Sequence, residues 1–95
     1  MNLKFIMVTT DGSLVTVYQV QQETCGLMAV GEVTNGTISK GDDVKIENGY
    51  KTPIKEHIKR IEFFHDEVNS ATKGQTVGLC LSKISKDALA DYLET

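Results

Sequence analysis

The chemically most capable side chains in this 95-residue chain are two cysteines, two histidines and a local run of cations. Cys80 together with His65 or His57 has the composition of a thiol nucleophile and its base. Cys80, however, stands in Leu79-Cys80-Leu81, an apolar triplet in which cysteine packs as a small hydrophobe. Cys25 falls in a turn before Gly26, where it is expected to be exposed, and no sequence neighbour would activate it. Neither cysteine belongs to a CxxC or has a His or Cys at zinc-site spacing. Both are therefore expected as free thiols in a reducing compartment.

Positive charge gathers at Lys51, Lys55, Lys59 and Arg60. On one continuous strand Lys51, Lys55 and Lys59 share a face, which would let them touch phosphates. Glu56 and Glu62 interrupt that run, and lysines also serve to protect edge strands. The neighbouring carboxylates Asp42-Asp43 and Asp66-Glu67 point to opposite sides of a strand and do not form the dense oxygen array that calcium needs. No metal and no cofactor are expected, and no set of residues converges as a catalytic site would. A non-catalytic binding role is the expectation. Its competitor is a small enzyme or redox protein using Cys25 or the histidines.

These side chains must be held by short elements. Asp11-Gly12, Asn35-Gly36 and Asn48-Gly49 are hairpin signals, and Lys40-Gly41-Asp42-Asp43 and Lys73-Gly74-Gln75 are further turns. Between them lie β-rich runs at 3–8, 14–20, 27–33, 43–47, 54–64 and 76–81. Runs this short and close together indicate a sandwich or barrel and leave no room for parallel crossovers. One helix is expected at the end, with Ser85 as N-cap and Ala88, Leu89, Tyr92 and Leu93 on its buried face. The core is expected to draw on Val17, Val20, Met28, Val30, Val33, Ile38, Val44, Ile46, Ile58, Ile61, Val77, Leu79 and Leu81. Glycines inside the strands, Gly31 and Gly78, mark bulges or close backbone approaches. They let both alternating registers contribute inward side chains.

The length allows one domain over residues 1–95, expected to be monomeric. The net charge of −3 argues against indiscriminate nucleic-acid binding. The apolar run near the N-terminus is too short for a secretory signal, and nothing approaches the ~20 apolar residues of a membrane span. A cytoplasmic protein without a membrane partner is expected.

Two blocks carry a family resemblance. The first is residues 26–46, Gly26-Leu27-Met28-Ala29-Val30-Gly31-Glu32-Val33 through Ile38-Ser39-Lys40-Gly41-Asp42-Asp43-Val44-Lys45-Ile46. The second combines Ile58-Lys59-Arg60-Ile61-Glu62-Phe63-Phe64-His65 with Ala71-Thr72-Lys73-Gly74-Gln75-Thr76-Val77-Gly78-Leu79. In this order they resemble the second, β-barrel domain of translational GTPases of the elongation factor Tu type. The resemblance covers about residues 18–84. It implies an all-β Greek-key barrel of about six or seven strands with a short C-terminal helical turn. In elongation factor Tu this domain helps hold the aminoacyl end of tRNA, near a Glu and an Arg three residues later. The resemblance places Glu62 at the first position and His65 at the second, so a ligand face is expected at Glu62 and His65, flanked by Lys59 and Arg60. The implied partner is RNA or a translation or RNA-modification protein. Two departures stand out: His65 replaces the Arg, and Ala90-Asp91-Tyr92-Leu93 replaces the Arg-Gly opening of the family's last strand.

The chain has no GxxxxGK[ST] phosphate loop. It is therefore expected not to bind or hydrolyse GTP. Isothermal titration calorimetry tests this, and saturable binding in the micromolar range would refute it.

Overall fold

Alternation of apolar and polar residues carries most of the chain into strands. In the computed structural model, which describes residues 4–94, β1 (Phe5–Thr9) buries Phe5, Met7 and Thr9 and turns Ile6 outward. The expected start of this strand at Leu3 lies outside the described residues. The chain continues through β2 (Leu14–Glu23), β3 (Gly26–Asn35), β4 (Thr37–Ser39) and β5 (Asp43–Glu47). There follow β6 (Ile54–Phe63), β7 (Asp66–Val68), β8 (Ser70–Thr72), β9 (Thr76–Leu81) and a helix, α1 (Lys86–Glu94).

The strand order β5-β1-β2-β3-β9-β6 closes on itself because β5 also pairs with β6. All the pairings are antiparallel. Closure leaves no free sheet edge among these six strands, which removes the liability of an open edge. β7 extends β6 as a hairpin arm, and β4 and β8 form a separate two-stranded ribbon. The interior is filled by Met7, Val15, Val17, Leu27, Val33, Ile38, Ile46, Ile58, Ile61, Leu79, Leu81 and Leu89, each almost wholly buried. Val30, expected in the core, is only half-buried: it lies on the outer side of β3, between inward Ala29 and Gly31. Met28 also points outward, opposite Cys80, yet is buried with its sulfur over Gly78.

Three irregularities shift the inward face, at Leu14/Val15, at Val17/Gln19 and at Ile58/Arg60. Gly31 answers the second, since a Cβ there would stand 2.3 Å from Thr16 O. The third decides where the cations of β6 point.

Asn35-Gly36 is not the tip of a hairpin. β3 pairs with β2 and β9, whereas β4 pairs with β8, so the dipeptide is a corner between two sheets. Sequence signals a turn here but does not say which strands meet across it. Gly36 has φ 73°, as expected of a turn glycine.

The helix starts where Ser85 predicts: its hydroxyl accepts the Ala88 N–H at 3.1 Å. A nine-residue helix needs docking to persist. Leu89 enters the barrel core, and the Tyr92 hydroxyl donates to Thr52 O at 2.9 Å. Ala88, expected on the buried face, is exposed, and Ala90 packs partly in its stead. The loop before α1 is held by Glu56, 2% exposed, whose Oε2 accepts the N–H groups of Lys83 (3.0 Å) and Ile84 (2.7 Å).

Gly36→Val should lower stability by about 1–3 kcal/mol, because a side chain is strained at positive φ and would meet buried Ser13. A Cβ at Gly36 would lie 2.3 Å from the Ser13 Oγ. Gly49→Ala is the control: φ is also positive there, but the space is open. Urea melts of both variants should show the larger loss at Gly36.

Candidate ligand-binding site

β6 carries all four expected site residues on its last half and the turn beyond. Up to Ile58 the strand alternates strictly, with Glu56 and Ile58 inward. The bulge then sets Lys59 and Arg60 together against Cys80 of β9, and Ile61 returns to the core. Lys59 and Arg60 therefore both lie on the outer side, followed by Glu62. Arg60 Nη2 and Glu62 Oε2 form an ion pair at 3.0 Å, as two residues on one strand face can.

The turn from β6 to β7 has only two central residues, Phe64 and His65, since Phe63 pairs with Asp66. Both have positive φ, 52° and 69°. These are the signs of a type I′ hairpin turn, which normally recruits Asn and Gly. A phenylalanine there is a genuine conformational outlier. The residue is 82% exposed, and its ring centroid lies 4.4 Å from that of Phe63.

The four residues do not share one pocket. Glu62 and His65, with Phe64, line a cleft of about 320 Å³ whose floor includes Met28, Val30 and Gly78. Lys59 and Arg60 line a second cleft of about 400 Å³ with Thr24, Cys25, Lys40 and Glu67. The Arg60–Glu62 pair stands between the two.

Lys40 reaches the second cleft because its turn is bound to β6. Gly41 N–H donates to Ile58 O at 2.8 Å, and Ile58 N–H donates to Asp42 O at 2.9 Å. Lys40 Nζ then donates to Glu67 Oε2 at 2.9 Å, which holds the Glu67 carboxyl below the ordinary glutamate value. Residues such as Lys40 and Glu67, 27 apart in sequence, are placed together only by the barrel.

The lysine stripe expected from sequence does not form. Lys51 precedes β6 and donates to Tyr92 O at 2.6 Å, Lys55 lines a different cleft, and Lys59 stands on the bulge. Lys55 and Lys59 are both outward on β6, but they border different clefts, and Lys51 lies outside the strand altogether.

The cysteines are not free thiols: Cys25 and Cys80 form a disulfide with a Cα–Cα distance of 6.3 Å. The reason is the β3–β9 register, in which Leu27 faces Leu81 and Met28 faces Cys80. Outward-pointing Cys80 thus comes beside the β2–β3 turn. Gly26, at φ 127°, lets that turn approach closely, since a Cβ there would lie 2.5 Å from Leu81 O. A separation of 55 residues hid this proximity from sequence reasoning. The imagined thiol–histidine pair therefore has no thiol, and His57 lies instead 3.0 Å from Asp43 on the neighbouring strand. Among the described residues no cluster of His, Cys, Asp or Glu could hold a metal ion, and no helix is long and apolar enough to cross a membrane.

Comparison with known proteins agrees with this architecture. The family model for elongation factor Tu domain 2 matches residues 26–90. A selenocysteine-specific elongation factor of Mus musculus is 31% identical over 64 residues, which is 67% of this chain and 10% of that protein. The chain thus spans about a tenth of the length of that relative.

The disulfide closes a long loop and should contribute about 2–4 kcal/mol. Denatured, unreduced protein should show no reactive thiol, and reduction should lower the urea midpoint. Two rapidly titrating thiols in unreduced protein would contradict the bond.

Proposed function

Because the chain belongs to the elongation factor Tu domain 2 family, we propose that it is a non-catalytic binding module. Its ligand face is the end of β6 and the β6–β7 turn, with Glu62 and His65 in the contact and Lys59 and Arg60 beside them. The partner is an RNA end in the setting of translation, and the protein works in the cytoplasm. The observation that carries this reading is the turn itself. Phe64 and His65 hold left-handed backbone at some energetic cost, beside a cleft, with an aromatic ring presented to solvent. Strain of that kind collects where geometry serves binding. The relative named as a selenocysteine-specific elongation factor supports the translational setting.

Nothing in the site favours catalysis. The two sulfurs are bonded to each other, and His57 is tied to Asp43. Binding to RNA should be weak and salt-sensitive, because only a few phosphates can be neutralised by so few cations.

A short single-stranded RNA ending in CCA should perturb backbone resonances clustered at residues 59–65, and the effect should fade with added salt. Phe64→Asn combined with His65→Gly should stabilise the fold by about 1 kcal/mol, since Asn-Gly suits this turn, and should weaken the RNA response. No perturbation at low salt would remove RNA and leave a translation-related protein as the partner.

A further inference from the structure

The Glu62–His65 cleft is poorly suited to a phosphate. Among the residues that line it are Glu23 and Glu62, and none is a Lys or Arg. If this face receives an RNA end, the phosphate contact must come from elsewhere. We infer that the neighbouring cleft, bounded by Thr24, Lys40, Lys59 and Arg60, is a separate phosphate-binding subsite. This deepens the binding-module reading and rests on it for the identity of the natural ligand.

Four features support the subsite. First, its lining carries three cations and one carboxylate, in a chain whose net charge is −3. Second, the internal charges are already matched in a way that leaves one cation over. Glu67 is engaged by Lys40 and Glu62 by Arg60, whereas Lys59 has no ion-pair partner among the described residues. Third, Arg60 has unmet donor capacity. Its Nη2 serves Glu62, while its buried Nε has no hydrogen-bond partner. A turn of the guanidinium toward a cleft anion would satisfy that N–H and present the planar fork that suits phosphate. Fourth, the walls are fixed. The backbone bonds of Lys40 N–H to Asn69 O (2.8 Å) and Gly41 N–H to Ile58 O (2.8 Å) hold one side, and the Cys25–Cys80 bond holds the other. A site whose cations stand on anchored backbone loses little freedom on binding. Thr24 lines the same cleft.

The bulge is what makes this arrangement. Without the extra residue, Lys59 and Arg60 would alternate sides, and one of them would face the core. The ligand chemistry is a phosphate monoester or diester oxygen cluster, which free phosphate and an RNA backbone share.

The test is a titration of the isotopically labelled full chain with inorganic phosphate, against sodium chloride at matched ionic strength. Saturable shifts at Thr24, Cys25, Lys40, Lys59 and Arg60 are expected with phosphate and not with chloride. Lys59→Ala should weaken phosphate binding about fivefold to tenfold, the scale of one charge-assisted hydrogen bond partly exposed to water. Lys73→Ala, in the exposed turn between β8 and β9, should leave it unchanged. Equal shifts with chloride, or an unaltered midpoint in Lys59→Ala, would overturn the subsite. The RNA ending in CCA separates the two readings. RNA shifts at 62–65 with no phosphate response at Thr24, Lys40 and Lys59 would overturn the subsite and leave the proposed function standing. Phosphate bound here with no response to RNA would keep the subsite and overturn RNA as the ligand.

Discussion

β5 is five residues long, and the fold turns on its pairing with both β1 and β6. Unpaired strand edges leave a row of amide and carbonyl groups seeking partners. By bonding on both sides, β5 converts six strands into a closed wall around one apolar interior. Closure also dictates position. Once β6 is held between β5 and β9, its inward residues Ile58 and Ile61 are fixed in the core, and what lies between them must be accommodated outside.

That accommodation is the Lys59–Arg60 bulge. The distance from Ile58 to Ile61 is odd in residue count, so strict alternation could not bury both. An extra residue resolves the conflict and places two cations side by side on the outer surface. The same wall brings the turn after β4, the β2–β3 turn and β7 around them. The disulfide reinforces this from the outside. It joins the β2–β3 turn to β9, two segments that the β3–β9 ladder has already brought together. A bond of this kind acts mainly on the unfolded chain, by removing conformations open to a loop of that length.

The outer surface of β3, β9 and β6 is thereby divided into two environments. One side has Met28, Val30 and an exposed phenylalanine beside carboxylates, and the other has lysines and an arginine. The Arg60–Glu62 pair at their border is a half-exposed interaction, worth little as stability. Its importance is positional, because it orients both charges along one face. A ligand with an apolar or aromatic end and an anionic link would meet both environments in succession. The left-handed turn at Phe64 and His65 borders the first of these environments.

The sequence by itself determined six of the nine strands among the described residues, most of the core and the family, and left the three-residue strands β4, β7 and β8 to the fold. Local alternation, turn chemistry and the spacing of glycines are properties of neighbouring residues, and they survive without knowledge of the fold. The N-cap at Ser85 and the inward residues of β5 were legible for the same reason. Glu62 and His65 were reached only through the resemblance, and Phe64 was missed: its signal is a bulky residue at positive φ, which composition does not reveal. What tertiary structure alone decided were the meetings between distant segments. The partner of β4, the placing of Lys59 and Arg60 side by side at the bulge, the joining of Cys25 to Cys80 and the arrival of Lys40 beside Lys59 all depend on inter-strand register. Register is set by which face must be buried once the barrel closes, a condition on the whole chain that no short stretch of it contains.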